Sequence, residues 1–126
     1  MGNSKQNPLI AWFDVRRKSF TSWAFAINRL TGIGLTVYLY LHLIVLNTLR
    51  QGESGWNDFL EIAKSTPFLL LDVILLFGVL YHSLNGIRVG MVGSGIGVKR
   101  QSVLLWSLLG ICLILFVVGS VLILTK

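Results

Sequence analysis

Three long apolar stretches, separated by short polar segments, dominate the chain. They cover residues 22–50, 67–92 and 102–125, approximately. A helix needs roughly 20 apolar residues to cross the hydrocarbon core of a bilayer, and each stretch is long enough. The pattern predicts an all-α integral membrane protein with three transmembrane helices. We divide it into a polar N-terminal tail, residues 1–21, and a three-helix membrane anchor, residues 22–126.

Composition supports a membrane protein and leaves no room for a water-soluble catalytic domain. Of the 126 residues, 54% are hydrophobic and 13% are charged, and the mean hydropathy is +0.75. If the chain belongs to an enzyme, we expect other subunits to carry the soluble chemistry. The single cysteine, Cys112, lies inside the third span, and we interpret it as a small apolar packing residue.

The net charge of +6 follows membrane topology rather than a nucleic-acid interface. Basic residues collect in the tail and the second loop: Lys5, Arg16, Arg17, Lys18, Lys99 and Arg100. By the positive-inside rule, the tail and the second loop are cytoplasmic, and the first loop and the C-terminus are outside. We therefore expect lipid and no nucleic acid as a partner. The tail does not look like a transit peptide, so we expect the inner (plasma) membrane of a prokaryote.

Two segments outside the spans have amphipathic patterns. Residues 9–18 combine apolar and basic side chains, which suits a membrane surface, a partner subunit or an ordinary cytoplasmic tail. Residues 55–64 predict a short interfacial helix in the first loop. Pro67 fits the first turn of the second membrane helix, where no backbone N–H is needed.

Titratable residues at membrane depth are costly and therefore suggest function. His82 lies in a series with Gly78, Gly86 and Gly90 at intervals of four residues, on one helix stripe. The clearance beside the imidazole would let a flat macrocycle reach it, as haem ligation requires. A glycine stripe for close helix packing, with the histidine hydrogen-bonded across it, is the alternative.

His42 is a second candidate ligand, or a polar residue bonded to a neighbouring helix. Counted from the outer helix ends at Arg50 and Pro67, His42 lies about 12 Å deep and His82 about 22 Å deep. The difference is roughly 10 Å, so if both histidines bind haem, they bind two different haems and do not share one iron. Each haem would take its other axial ligand from another chain.

The membrane arginines and Asp72 have several interpretations. Arg29 and Arg88 lie near the cytoplasmic ends of the first two spans, and together would form a cationic floor for haem propionates. Arg29 would otherwise snorkel to the interface or donate to a quinone oxygen. Asp72 would cap the start of its helix or line a proton path.

Two motifs give the chain a family resemblance: 29-RLTG-32 in the first span and 82-HSLNGIR-88 in the second. With them, the chain resembles the cytochrome b556 protein of succinate dehydrogenase, complex II, which is the larger of that enzyme's two membrane anchors. The resemblance implies pairing with a second anchor in a helical bundle around haem b. It also implies flavoprotein and iron–sulfur subunits on the cytoplasmic side, and electron transfer to quinone.

The resemblance assigns roles to individual residues. It implies that His82 ligates the inner haem and that His42 ligates an outer haem, as in members with two haems. The family's quinone-site serine is replaced by Phe25, so a hydroxyl would come from Ser22 or Thr31. The remaining haem-binding or packing positions are Arg29, Arg88, Asn28, Gly78 and Gly86, and Arg29 also lies near quinone.

Two other functions stay open at this point. The same architecture serves fumarate reductase, because the direction of electron flow depends on the quinone potential. A haem-free structural membrane subunit would leave the glycine and histidine stripe with packing as its only purpose. In either case we expect no independent catalytic activity from this chain.

Overall fold

The computed structural model describes residues 20–125 and contains four α-helices within that range. They are α1 (Phe20–Leu46), α2 (Gly52–Ala63), α3 (Thr66–Gly93) and α4 (Gln101–Leu124). Three of the described segments are long and apolar enough to cross a membrane: Phe20–Ala63, Thr66–Gly93 and Val98–Leu124. The amphipathic segment 9–18, like most of the tail, lies outside the described residues.

The first span ends earlier as an α-helix than its apolar pattern indicates. After Leu46 the chain tightens into a 3-10 turn, Asn47–Gln51. The Thr48 hydroxyl donates to the carbonyl oxygen of Val45 at 2.7 Å, a local bond that competes with regular helix. Gly52 then takes a positive φ of 81°, and α2 begins. The short helix expected in 55–64 is therefore present, and it begins three residues earlier and ends one residue earlier than predicted.

The helix α3 runs antiparallel to α1 and occupies the centre of the anchor. Ala24 of α1 contacts Asn85 of α3, and Asn28 contacts His82. Further along α1, Leu35 contacts Gly78, so the contacts move backwards along α3. Pro67 lies in the first turn of α3, as the sequence predicts. The chain therefore crosses up and down, with the start of α1 and the end of α3 on the same side.

A glycine turn joins α3 to α4. Gly95 and Gly97 have φ values of 84° and 71°, in the left-handed region that other residues rarely adopt. A Cβ on Gly97 would also lie 2.6 Å from Leu104 Cδ1. This turn brings α4 back along α3, and Phe77 packs edge-on against Phe116 with ring centroids 5.8 Å apart.

The helices α1 and α4 meet through an aromatic pair at one end. The rings of Phe20 and Trp106 stack with centroids 5.0 Å apart and planes 14° from parallel. Few side chains of the described part are buried, and most large apolar residues are exposed. In a membrane protein these surfaces face lipid or other subunits, so the small core does not imply an unstable fold.

We expect Gly119→Val to weaken the contact between α3 and α4. A Cβ at Gly119 would lie 2.6 Å from Leu76 Cδ2, so the side chain must move. Overpacking of this kind costs about 1–3 kcal/mol. Thermal unfolding of the detergent-solubilised complex measures the loss. Gly110→Val is the matched control because no atom lies within 4 Å of its added Cβ. Equal melting temperatures for the two variants would contradict this packing.

Candidate functional site

The imidazole of His82 is held by the backbone of α1. Its Nδ1 lies 3.0 Å from the carbonyl oxygen of Asn28. The Thr31 hydroxyl is 3.5 Å from the same nitrogen, and donates to the backbone carbonyls of Ile27 and Asn28 at 2.9 and 3.0 Å. The side chain of His82 is half-buried. The sequence identified His82 and Thr31 but did not predict that a carbonyl would orient the ring.

Space for the imidazole comes from a glycine on the opposite helix. A Cβ on Gly32 would lie 2.8 Å from Cε1 of His82 and 3.3 Å from Nδ1. On α3 itself, Gly78 has ordinary contact with Leu35 at 3.7 Å, and Gly86 has nothing within 4 Å of an added Cβ. Gly90, the third glycine of the predicted stripe, also has nothing within 4 Å, so all three leave room, but the glycine in closest contact with His82 is Gly32.

A second polar cluster lies one turn nearer the start of α1. The carbonyl oxygen of Ala24 accepts hydrogen bonds from Tyr81 Oη at 2.8 Å and from Asn85 Nδ2 at 3.2 Å. Asn85 Oδ1 accepts one from Arg88 Nε at 2.8 Å. The Arg88 guanidinium lies over the Phe25 ring, 5.0 Å from its centroid. Sequence reasoning overlooked Asn85 and Tyr81, although an asparagine inside an apolar span is itself a signal.

The two arginines predicted to share a floor occupy different environments. Arg88 is 0% exposed, and its Nη1 and Nη2 have no hydrogen-bond partner within the described part of the chain. Arg29 is exposed on α1 and has partners of its own. The buried Asn28 Oδ1 also lacks a partner among the described residues. Unpaired buried polar atoms are costly, so this part of the α1–α3 contact is held at the expense of unsatisfied groups.

His42 lies far along α1 from the His82 cluster. Its ring stacks on Tyr38 with centroids 5.6 Å apart and planes 30° from parallel, and the side chain is half-buried. His82 packs against Gly32, and ten residues of helix from there to His42 correspond to about 15 Å. This exceeds the sequence-based difference of roughly 10 Å, which treated Arg50 and Pro67 as level ends. The two imidazoles cannot share one iron.

Two other predicted polar residues lie outside the His82 cluster. Ser22 is half-buried near the start of α1 and has an interaction partner. Asp72 is exposed on α3. Within residues 20–125 there is no group of three or more His, Cys, Asp or Glu side chains that would hold a metal ion. Any metal centre built from these residues therefore needs ligands from elsewhere.

An apolar cavity of about 490 Å³ lies between α1, α3 and α4. The Phe20–Trp106 pair lies at one end of α1 and α4, and Tyr81 contributes one of the few polar atoms of the lining. Cys112, expected to be a packing residue, is buried and lines this cavity. The residues around it are Phe20, Trp23, Ala24, Ile27, Phe77, Tyr81, Leu109, Cys112, Leu113 and Phe116.

The hydrogen bonding of His82 is compatible with a role as a metal ligand. A carbonyl oxygen can only accept, so Nδ1 carries the proton and Nε2 keeps its lone pair. Metal-bound histidines commonly donate their other N–H to such a carbonyl. The glycine positions along α3 supply room, and Arg88 supplies positive charge about 9 Å further along α3, six residues from His82.

Three long apolar helices carrying buried polar clusters define a multi-pass helical membrane subunit. Residues 3–122 match the family described as succinate dehydrogenase/fumarate reductase transmembrane subunit, and the chain belongs to that family. It is 36% identical over 104 residues to the succinate dehydrogenase hydrophobic membrane anchor subunit of Halobacterium salinarum, covering 80% of this chain and 79% of that protein. It is 29% identical over 100 residues to the succinate dehydrogenase 2 membrane subunit SdhC of Mycobacterium tuberculosis, covering 79% and 74%. The family resemblance seen in the sequence is thereby confirmed at the level of a membrane-anchor subunit.

We expect Tyr81→Phe to lower the stability of the α1–α3 contact while keeping the aromatic ring in place. The variant loses the hydrogen bond to the carbonyl of Ala24, which is worth about 0.5–1.5 kcal/mol, and about 0.6 kcal/mol in the average membrane case. Thermal unfolding of the solubilised complex reports the loss. Tyr40→Phe is the control, because Tyr40 is 67% exposed. If Tyr81→Phe melts at the same temperature as Tyr40→Phe, the bond does not stabilise the fold.

Proposed function

We propose that the chain is the cytochrome b556-type anchor, the larger of two membrane anchors, of a succinate:quinone oxidoreductase in the inner (plasma) membrane of a prokaryote. Its N-terminus is cytoplasmic, and the flavoprotein and iron–sulfur subunits dock on that side. A second three-helix anchor completes the helical bundle. The chain performs no catalysis alone; it holds haem b and helps form the quinone site that takes electrons from the iron–sulfur subunit. The family, and the two relatives that are membrane subunits of succinate dehydrogenases, support the anchor role.

The bond from His82 Nδ1 to the carbonyl of Asn28 carries the haem assignment. It fixes the imidazole with Nε2 as the free nitrogen, which is the arrangement of an axial ligand. A haem bound there supplies one-electron redox chemistry at its iron. Packing alone would explain a histidine bonded across a helix contact, but not the unpaired cationic nitrogens of Arg88 nearby.

The two arginines contribute differently to such a site. Arg29 is exposed on α1 and is suited to direct contact with a propionate or a quinone oxygen. Arg88 is enclosed by the chain, so it acts through its charge, held in place by Asn85 and the face of Phe25. A buried cation favours anions in its surroundings because little water screens it.

His42 is proposed as the axial ligand of a second, outer haem. It has no hydrogen-bond partner within residues 20–125, so its nitrogens are not committed to another group of that part. Its separation of about 15 Å from the His82 level requires a separate site. The other axial ligands come from the partner anchor, since the described residues offer one histidine at each level.

The quinone site is proposed at the start of α1, near Arg29, Ser22 and Thr31. An apolar cavity of about 490 Å³ begins at the same end of α1, where Phe20 and Trp23 line it, and its volume is roughly three times the 150 Å³ that accommodates a benzene ring. Its lining does not include Ser22, Arg29 or Thr31. The Thr31 hydroxyl donates to backbone carbonyls, so it can accept a hydrogen bond from the hydroxyl of a quinol but does not donate one to a quinone oxygen. Reduction of fumarate by the same assembly is the alternative direction, and it would be set by the quinone potential.

Haem content of the purified complex tests the proposal. We expect about two b haems per copy of this chain by the pyridine haemochromogen assay, falling to about one in His82→Ala and in His42→Ala, because each imidazole serves a separate site. Tyr40→Phe, exposed on the same helix as His42, is the control and should keep the full content.

The other outcomes revise the proposal in defined ways. If haem is lost only with His82→Ala, His42 is a packing residue stacked on Tyr38. Wild-type complex without haem would overturn the cytochrome assignment and leave a structural anchor. The direction is decided by two rates measured on the same preparation with quinones of different potential. One is the rate of quinone reduction by succinate, and the other is the rate of fumarate reduction by quinol.

A further inference from the structure

The first observation concerns the tautomer of His82. Its Nδ1 lies 3.0 Å from the carbonyl oxygen of Asn28, which has no proton to give. The Thr31 hydroxyl is farther away, at 3.5 Å, and its proton is engaged by backbone carbonyls. The proton of the neutral imidazole therefore lies on Nδ1. A main-chain carbonyl inside a helix sets this choice, so it does not depend on the side chain at position 28.

The second observation concerns the position of the ring over Gly32. An added Cβ would lie 2.8 Å from Cε1, 3.3 Å from Nδ1 and 3.7 Å from Nε2. Cε1 lies between the two nitrogens, so a methyl group at this point pushes the ring off the helix surface. Displacement of the ring away from α1 relieves the contact and lengthens the bond from Nδ1 to the carbonyl of Asn28. Gly32 and that carbonyl, one helical turn apart, constrain the same ring from two directions.

We infer that Gly32 and the Asn28 carbonyl form a positioning pair for His82, which fixes the orientation of its ring and presents Nε2 to the iron. This inference rests on the proposed haem ligation by His82. It assigns a physical role to the glycine of the 29-RLTG-32 motif: the glycine clears the approach of the axial ligand. Gly32 is a positioning residue, because it acts through the imidazole and not on the haem.

The hydrogen bond also makes a prediction about redox behaviour. A proton donated from Nδ1 to a carbonyl makes the imidazole more basic, which favours the ferric state of a ligated iron. Weakening that bond should therefore raise the midpoint potential of the inner haem. A glycine required only for helix packing would lower the stability of the complex and leave the potential of the remaining haem unchanged.

The test compares Gly32→Ala with Gly34→Ala in the complete complex. Both substitutions change helix propensity equally, but an added Cβ at Gly34 has nothing within 4 Å. The readouts are haem per chain, the low-temperature EPR signal of the ferric low-spin haem and its midpoint potential. We expect Gly32→Ala to lose at least about half of the inner haem, or to retain it with a shifted EPR signal and a raised potential. Gly34→Ala should match wild type.

The outcomes separate the inference from the function on which it rests. Wild-type complex without haem overturns both. Wild-type haem with identical spectra and potential in the two glycine variants overturns the positioning pair and keeps His82 as ligand. If Gly32→Ala fails to assemble, pulsed EPR of wild type with ¹⁵N-labelled histidine decides. If Nδ1 of His82, the nitrogen that faces away from the iron, is protonated and hydrogen-bonded, the positioning pair is supported. If Nδ1 is unprotonated, the positioning pair is overturned.

Discussion

The structure depends on two main-chain carbonyl oxygens of α1. The carbonyl of Ala24 accepts from Tyr81 and Asn85, and the carbonyl of Asn28 accepts from His82. Inside a bilayer no water competes for these donors, so a polar side chain on α3 must find its partner on the adjacent helix or stay unsatisfied. Apolar contacts alone would tolerate sliding of two such helices. The polar bonds fix their register, and with it the height of every candidate functional group.

The two sides of α3 consequently make different kinds of contact. Towards α4 it uses apolar and aromatic packing, with Phe77 against Phe116 and Leu76 against Gly119. Towards α1 it carries the hydrogen-bonded residues and the imidazole. The glycines near this contact permit close approach, which is the usual way that membrane helices gain packing energy without a hydrophobic driving force. The candidate site therefore lies at the hydrogen-bonded contact between α1 and α3, and an apolar cavity lies between α1, α3 and α4.

The sequence predicts the spans well because each is much longer than any buried helix of a small soluble domain needs to be. It does not predict the exact end of α1, since Thr48 and Gly52 act through local bonds and dihedral angles. Inter-helix register is likewise absent from a single sequence. His82 was therefore assigned clearance from glycines on its own helix, and Gly32 was overlooked as its neighbour. The sequence also predicts that Arg29 and Arg88 lie at a similar depth. Depth does not determine the direction of a side chain, and Arg29 is exposed whereas Arg88 is buried.

The contact between His82 and position 28 has an evolutionary consequence. The group that holds the imidazole belongs to the main chain, and every amino acid supplies the same carbonyl. The side chain at position 28 can therefore change without removing the group that holds the ring. Position 32 has no such freedom, because any side chain carbon occupies the space of the imidazole. Two residues one turn apart thus face opposite selective pressures for a reason that lies in atomic geometry.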